Sequence, residues 1–290
     1  MPQYSYRLLN VFADTSFGGN PLCVFEDGTG LDDETMLNLA RQFNLSETVF
    51  LLPSSVDSAS DATLRIFTPT GELPFAGHPS IGSAHVVRQR LRRDTLTLKT
   101  RAGVVALSLE GSLWNLTAPR KAVDALVRPC ALSIDELCHM LNLEVEDVAA
   151  DPLWFDTGSE QLLLLLRSIE AVQKAKPGAG FAERWPANGL GRRNVFLFAM
   201  TKAADGGDTV RARYFFKSAS GVGEDPGTGS ACINLGAWLY MHAMPIARQV
   251  DILQGVEIGR PCRIRLDVSA HGNIRIGGRV IELGGGHINL

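Results

Sequence analysis

The most informative stretch of this chain reads Gly223-Glu224-Asp225-Pro226-Gly227-Thr228-Gly229-Ser230-Ala231, and an apolar run over residues 232–239 follows it. Two glycines around a threonine, with a serine just before the apolar run, predict a tight loop that leads into the first turn of a helix. The first N–H groups of a helix lack intrahelical acceptors and lie at the positive end of its dipole, so such a loop favours an anion. One loop of this kind is a weak indication by itself.

A second loop of this kind lies much earlier, at Ala76-Gly77-His78-Pro79, and it also precedes a run with helical spacing. The segments near the two loops resemble each other as well. In chain order the matched segments are 18–25 with 157–164, 48–52 with 194–198, 64–67 with 212–215, and 76–79 with 226–229. Any one match could arise by chance, but four in the same order predict an internal duplication. On this alignment Glu47 corresponds to Arg193.

A duplicated chain can fold into two similar lobes that face each other. Both helix starts would then point into one shared cleft, which suits a small substrate with one or more carboxylates. A proline-bearing segment of mixed charge at 118–129 is a suitable lobe boundary. We therefore expect an N-terminal lobe over 1–118, joined by the returning C-terminal segment 278–290, and a C-terminal lobe over 119–277.

Composition excludes several classes of function. With 290 residues, 45% of them hydrophobic and 20% charged, the chain has the makeup of an ordinary globular protein. A net charge of −3 without a basic cluster argues against nucleic-acid binding. No apolar run is long enough to span a membrane, and the N-terminus lacks the apolar core of a signal peptide, so we expect a cytoplasmic protein. Five cysteines without Cys-x-x-Cys spacing, and histidines without ligand spacing, predict neither disulfides nor a metal site.

Local patterns predict several elements. Asp32 is placed to cap a helix whose apolar positions recur over residues 36–43, and Ser133 with Glu136 has the spacing of a capping box. Residues 161–166 read as a fully apolar strand. The proline and glycine content of 174–188 predicts a surface excursion.

Five motifs together resemble the phenazine-biosynthesis PhzF-like family, which shares its fold with diaminopimelate epimerase and proline racemase. They cover residues 17–261 in order, and their combination is far more specific than any one of them. The motifs are Phe17-Gly18-Gly19-Asn20-Pro21, Ser46-Glu47-Thr48, Pro74-Phe75-Ala76-Gly77-His78-Pro79, Glu224-Asp225-Pro226-Gly227-Thr228-Gly229-Ser230-Ala231, and Gln254-Gly255 with Gly259-Arg260-Pro261.

This resemblance implies an α+β fold of two similar, pseudo-duplicated lobes, each a curved mixed β-sheet wrapped around a central helix, with the active site between them. It also implies isomerisation without a cofactor, by proton transfer at carbon, and a homodimer. The family's catalytic glutamate falls on Glu47, and its supporting histidine and aspartate fall on His78 and Asp225. The predicted substrate-binding residues are Asn20, Gly77, Gly227, Thr228, Gly229 and Ser230.

Structural alternatives exist for each of these residues. Burial can raise the pKa of a carboxyl at the start of an apolar strand into the range useful for proton transfer, but Glu47 could also be an exposed residue or a cap partner. His78 and Ser230 could cap or pack the helices that they begin, and Asp225 could simply form the turn before Pro226. For the glycines the two interpretations coincide, because the turn geometry creates the anion site.

The sequence departs from the family pattern in two places. Epimerases and racemases of this fold carry an acid–base cysteine immediately before each glycine loop, and we align those positions with Ala76 and Pro226. Gly227 replaces the valine or alanine that is common after Pro226. Stereoinversion by two thiols is therefore not predicted.

The leading hypothesis is an isomerase in which Glu47 shifts a proton between carbons of a small carboxylate-bearing substrate. One alternative is a non-catalytic protein that binds small carboxylates through the same residues. The other is an epimerase or racemase of the same fold, which would need a thiol that the aligned positions do not supply.

Overall fold

The computed structural model of the chain describes residues 1–54, 60–218, 221–242 and 247–290, apart from the side chain of Ala179. It is dominated by strands, with 44% of residues in strands and 23% in helices, and the strands form mixed parallel and antiparallel pairs, which confirms the predicted α+β class. The chain divides into a first unit, Met1–Pro119 with Arg275–Leu290, and a second unit, Arg120–Ile274. Among the helices of the described ranges, none combines the length and apolar character that crossing a membrane requires.

The described strands are, in chain order, β1 (Gln3–Val11), β2 (Asn20–Phe25), β3 (Glu47–Leu52), β4 (Ala62–Thr68), β5 (Gly71–Leu73), β6 (Thr95–Thr100), β7 (Gly103–Glu110), β8 (Leu113–Thr117), β9 (Leu126–Pro129), β10 (Leu153–Asp156), β11 (Glu160–Leu165), β12 (Asn194–Lys202), β13 (Asp208–Ser218), β14 (Gly221–Asp225), β15 (Arg248–Gln254), β16 (Cys262–Val268), β17 (Ile274–Gly278) and β18 (Val280–Asn289). The α-helices are α1 (Asp33–Phe43), α2 (Gly77–Leu91), α3 (Ile134–Leu141), α4 (Ile169–Lys174), α5 (Ala179–Arg184) and α6 (Gly229–His242).

In the first unit the strands pair in the order β18-β1-β2-β3-β4-β6-β7-β8-β17, and β5 adds to β4. The pairs β2–β3 and β4–β6 are parallel, and a helix lies in each of their crossover connections, as parallel pairing requires. Helix α2 contacts strands from both halves of this ladder, including β1, β2, β4, β6 and β8. The sheet therefore curves around α2, which is buried along most of its length.

The second unit repeats this topology. Its strands pair in the order β9-β10-β11-β12-β13-β15-β16, with β14 added to β13, and the pairs β11–β12 and β13–β15 are parallel. The order and the sense of these pairings are the same as along β18-β1-β2-β3-β4-β6-β7 with β5. Helix α6 occupies the connection that α2 occupies in the first unit. The predicted internal duplication is thus confirmed at the level of strand pairing.

Helices also cover the other face of each sheet. In the first unit, α1 places Met36 and Leu39 against Cys23, Phe25 and Phe50, and the rings of Phe25 and Phe50 stack with centroids 4.7 Å apart. Two predicted helix starts are confirmed. The Asp32 side chain accepts a hydrogen bond from the Thr35 amide, and Ser133 and Glu136 form a capping box.

The segment 174–188 is predicted to be a surface excursion, which holds for most of its described residues but is wrong for the buried residues Ala175, Phe181, Trp185 and Asn188. It contains α5, whose Phe181 is fully buried beside the equally buried Trp185, with ring centroids 4.7 Å apart. The Trp185 indole Nε1–H donates a hydrogen bond to the Asn194 carbonyl. Proline and glycine bound this short helix without preventing it, because two large aromatic side chains supply the burial that stabilises it.

Each unit contains a bidentate ion pair, and the two pairs join equivalent strands of the duplication. In the first, Arg65 on β4 binds Glu72 on β5 with N–O distances of 2.7 and 2.8 Å. In the second, Arg213 on β13 binds Glu224 on β14 at 2.9 and 2.8 Å. Each pair ties a short strand to a central one, just before the chain turns into the buried helix.

These ion pairs correct the alignment of the two loops. The central helix of each unit begins five residues after its glutamate, at Gly77 and at Gly229. Gly77 therefore corresponds to Gly229, and the residue that matches Ala76 is Thr228 rather than Pro226. In the sequence, the glycine-rich second loop can be aligned with the first loop in two registers. The strand pairing allows one of them.

We predict that Arg213→Met lowers the free energy of unfolding by about 3–5 kcal/mol, because it leaves the buried Glu224 carboxylate without its cation. The same guanidinium also donates hydrogen bonds to the carbonyls of Val172, Gln173 and Ala175, which follow α4 or form its end. Urea unfolding measures the effect. The control Lys202→Met breaks a solvent-exposed pair with Asp208 and should cost less than about 1 kcal/mol. Equal losses in the two variants would contradict the prediction.

Candidate active site

Asn20 and Glu47 lie at the same edge of the first sheet. They begin β2 and β3, and because these strands are parallel their first residues are neighbours, with Leu22 paired to Glu47. The turn before β2 requires Gly19, which has a φ of +78°. A Cβ there would lie 2.7 Å from the Val11 carbonyl oxygen, so the Gly18-Gly19-Asn20 motif serves to bring the Asn20 amide to this edge.

His78 joins this pair from the first turn of α2. Its Nε2 lies 3.3 Å from Glu47 Oε2, and its Nδ1 lies 3.2 Å from the Asn20 side-chain nitrogen. With that amide nitrogen as the donor, Nδ1 is the acceptor, and a neutral imidazole then carries its proton on Nε2, the atom that faces Glu47. The Nε2–Oε2 distance is longer than that of an ordinary hydrogen bond, so a small approach of the two side chains would form one.

His78 is held in the neutral form. Its side chain is 5% exposed, and burial lowers the pKa of His78 to about 3. The positive end of the α2 dipole acts in the same direction, but the main physical cause is the loss of hydration of the imidazolium ion. The contact between His78 and Glu47 is consequently a contact of a neutral imidazole with a carboxyl group, rather than an ion pair.

The start of α2 is suited to an anion. Gly77 and His78 are buried in the first turn, and Ala76, at the N-cap position, supplies no side-chain hydrogen bond to them. Pro79 has no N–H group, so the amides of Gly77 and His78 are the donors that this turn presents. Together with the helix dipole, they make a carboxylate a favourable ligand next to Glu47.

The second unit gathers another set of predicted residues around the start of α6. Asp225 ends β14, and its Oδ2 accepts a hydrogen bond of 2.5 Å from the Thr228 hydroxyl. Gly227 and Gly229 are buried on either side of Thr228. Gln254, at the end of β15, donates to the Asp225 carbonyl at 2.8 Å and accepts from the Thr228 amide at 3.1 Å.

Ser230 lies in the first turn of α6 and is linked to the head of β11. The Gln161 side-chain amide donates to the hydroxyls of Ser230 and Ser159, at 3.0 and 2.9 Å. The amide of Asn234, one turn further along α6, hydrogen-bonds the other end of the Gln161 side chain. The prediction of a fully apolar strand over 161–166 is therefore wrong at Gln161, which is buried but polar.

Strand pairing also corrects the counterpart of Glu47. Thr48 pairs with Phe67 in the first unit, and Val195 pairs with Phe215 in the second. Phe67 and Phe215 are equivalent, because each lies two residues after the arginine of its unit's ion pair. The residue that matches Glu47 is therefore Asn194 rather than Arg193. An amide cannot take up a proton at neutral pH, so the acidic group is present in one half of the duplication.

Thiol chemistry has no support at either helix start, where Ala76 and Thr228 occupy the positions in front of the glycines. Three cysteines lie nearby in sequence or space, Cys23 within β2, Cys232 within α6 and Cys262 within β16, and all three are fully buried. Burial raises the pKa of each of these thiols well above its usual value, which disfavours the thiolate.

The structure thus groups the predicted residues into two sets. The first unit brings together Asn20, Glu47, Gly77 and His78, and the second brings together Asp225, Gly227, Thr228, Gly229 and Ser230. Two residues without an assigned role belong to the second set, Gln161 and Gln254. Gln161 could have been noticed as a polar residue at the head of an apolar run, and Gln254 as part of the Gln254-Gly255 motif.

An internally duplicated α+β protein of this kind has the diaminopimelate epimerase-like fold, which is shared by PhzF-family and proline racemase-like structures. The model of the PhzC-PhzF family, described as phenazine biosynthesis-like protein, matches residues 9–284. The chain is a member of this family.

Individual relatives agree with this assignment. The chain is 39% identical to an uncharacterised isomerase of Pasteurella multocida over 98% of this chain and 94% of the relative. It is 34% identical to the trans-2,3-dihydro-3-hydroxyanthranilate isomerase of Pseudomonas aeruginosa, over 90% and 89%. The crystal structure of a PhzF-family protein of Bacillus anthracis superposes with a TM-score of 0.84 at 21% identity, covering all of both chains, which shows a common fold. The chain is accordingly an isomerase by family.

We predict that His78 makes the stability of the protein depend on pH. Between pH 6.5 and about 3 the unfolded chain binds a proton at this residue and the folded chain does not, so stability falls as the pH decreases. Lowering the pH from 7.5 to 5.0 should cost the wild type about 2 kcal/mol more than it costs His78→Gln. Urea unfolding at the two pH values measures this difference.

The matched control is His139→Gln, which removes an exposed histidine on α3. It should retain the wild-type pH dependence. If His78→Gln loses as much stability as the wild type on acidification, the imidazole is not held neutral by burial.

Proposed function

We propose that this protein shifts a proton between two carbons of a small carboxylate-bearing substrate, without a cofactor, and that Glu47 is the general acid and base. The observation that carries the proposal is the contact of Glu47 with a buried, neutral His78 beside the anion-binding start of α2. A carboxylate substrate bound at that helix start would have its reacting carbons next to the Glu47 carboxyl group.

The asymmetry of the duplication supports one acid–base group over two. Stereoinversion needs a proton donor and a proton acceptor on opposite faces of the substrate, and the positions equivalent to Glu47 and Ala76 carry Asn194 and Thr228. A single carboxylate can remove a proton from one carbon and return it to another carbon on the same face. This favours isomerisation over epimerisation.

His78 would assist through its Nε2 proton. As a neutral donor it can hydrogen-bond the Glu47 carboxylate before Glu47 removes a proton from the substrate. It can form this hydrogen bond again when Glu47 has returned the proton. Because its pKa lies near 3, it does not compete with Glu47 for the substrate proton. Asn20 holds the ring in the tautomer that this role needs, through its contact with Nδ1.

In this proposal Asp225 supports the reaction, and Gly227, Thr228, Gly229 and Ser230 bind the substrate. Hydrogen bonds hold two of these residues in place, as described above for Thr228 with Asp225 and for Ser230 with Gln161. The curated relatives suggest a cyclic unsaturated acid, and trans-2,3-dihydro-3-hydroxyanthranilate, the substrate in the name of the Pseudomonas aeruginosa relative, is the first compound to test.

We predict that Glu47→Gln lowers kcat for this isomerisation by about 10²–10⁴-fold, the usual contribution of a general acid–base group. The amide keeps the size and the contact with His78 and cannot carry the proton. Turnover is followed by product absorbance, and mass spectrometry in D₂O shows whether the returned proton comes from the solvent or from the substrate.

Glu34→Gln, on the exposed side of α1, removes an equal charge from the same unit and should leave kcat unchanged. Unchanged turnover in Glu47→Gln would exclude Glu47 from the mechanism. A wild type that binds small cyclic acids, yet neither turns them over nor exchanges any carbon-bound proton, would instead favour the carboxylate-binding protein.

A further inference from the structure

Gln254 is a fully buried polar side chain at the end of β15, and its amide group lies inside the loop that precedes α6. Its Nε2 donates to the Asp225 carbonyl oxygen at 2.8 Å and to the Thr228 hydroxyl at 3.0 Å. Its Oε1 accepts from the Thr228 amide at 3.1 Å. One side chain thus holds both ends of the loop that carries Asp225.

The partners fix which way this amide points. A backbone carbonyl can only accept, so the atom next to the Asp225 oxygen must be the nitrogen of Gln254. A backbone N–H can only donate, so the atom next to the Thr228 nitrogen must be the oxygen of Gln254. The reversed amide would bring two acceptors together at one end and two donors at the other.

This orientation sets the direction of the next hydrogen bond. Since Gln254 Nε2 donates to Thr228 Oγ1, the single proton of the Thr228 hydroxyl is available to its other neighbour, Asp225 Oδ2, at 2.5 Å. A one-way chain of donors therefore runs from Gln254 through Thr228 to the Asp225 carboxylate. The donor nitrogen of Gln254 and the acceptor-only carboxylate of Asp225 thus both direct the Thr228 proton toward Asp225.

The backbone behind Gln254 keeps the amide in place. Gly255 has a φ of +76°, and a Cβ on it would lie 2.5 Å from the carbonyl oxygens of both Pro226 and Arg260. The Arg260 amide closes the following turn by donating to the Gly255 carbonyl at 2.9 Å. The Gln254-Gly255 motif therefore packs directly against the loop that Gln254 binds.

We propose that Gln254 is a positioning residue for the reaction, which orients the Asp225 carboxylate by fixing the Thr228 hydroxyl as its donor. This rests on the proposed function, in which Asp225 supports the proton shift. Gln254 acts through Thr228 and itself contacts no substrate.

The decisive variant is Gln254→Glu, which keeps the shape of the side chain and exchanges the donor nitrogen for an acceptor oxygen. The Thr228 hydroxyl would then donate to position 254 and release Asp225. We expect kcat to fall by about 10–100-fold with KM changed less than about threefold, as for a misplaced catalytic group. Thr228→Val should give the same loss, and Thr228→Ser should recover most of it because it restores the hydroxyl.

Coupling separates positioning from a general loss of structure. If Gln254 acts through Thr228, the double variant Gln254→Glu with Thr228→Val is no slower than the slower single variant, whereas independent effects would multiply. The control Gln249→Glu adds the same charge at an exposed position of the same strand and should not change kcat. Should Gln254→Glu fail to fold, Gln254→Met, which keeps the length of the side chain and removes the donor nitrogen, takes its place in the same double-variant comparison.

The proposal would be overturned if the losses of the two single variants multiplied in the double variant. It would also be overturned if neither Gln254→Glu nor Thr228→Val lowered kcat. Hydrogen exchange of the Thr228 amide gives a readout without any substrate, because Gln254→Ala should accelerate it at least about tenfold while Gln249→Ala should not. An unchanged exchange rate would overturn the proposal too. A wild type that turns over no substrate would contradict the proposed function and, with it, the role of Gln254 in the reaction. The exchange rates could still show that Gln254 holds the loop before α6 in place.

Discussion

Enclosing a helix within a curved sheet is the constraint on which each unit depends. Helix α2 is buried along most of its first four turns, and α6 shows the same pattern, so neither keeps the polar face of an ordinary surface helix. Strands can approach such a helix closely where its side chains are small. At Gly82, for example, a Cβ would stand 2.4 Å from a methyl group of Leu22.

Burial of the helix also accounts for the polar clusters at its start. Backbone N–H groups in the first turn have no intrahelical acceptor, and inside a folded unit they lose part of their access to water. Each unit places polar side chains around these groups from the ends of parallel strands, Asn20 and Glu47 in one and Gln161 in the other. The same constraint that shapes the fold thereby creates a place for an anionic ligand.

The duplication supplies two equivalent scaffolds with different chemistry. Glu47 corresponds to Asn194, and His78 corresponds to Ser230, so at these two positions one unit has titratable side chains and the other has an amide and a hydroxyl group. The bidentate ion pairs of Arg65 and Arg213 are retained in both units, because they secure the strand that leads into the helix. The structural elements are present in both copies, whereas the carboxyl group that we propose to transfer the proton is present in one.

Local signals could be predicted from the sequence by itself. The caps at Asp32 and Ser133 and the glycine loops are visible there because each depends on neighbours within a few residues. The candidate residues Glu47, His78 and Asp225 are identified through the resemblance of five motifs to a known family. The repeated segments also showed the duplication, since strand patterns are retained in order. What the tertiary structure decided was the register between the halves, which moved the counterpart of Glu47 to Asn194 and that of Ala76 to Thr228. It also decided the burial of Phe181 and Trp185 and the roles of Gln161 and Gln254. These features depend on strand pairing and on contacts between residues far apart in the chain, such as Gln254 and Thr228, and no local pattern specifies which distant group will complete a buried hydrogen bond.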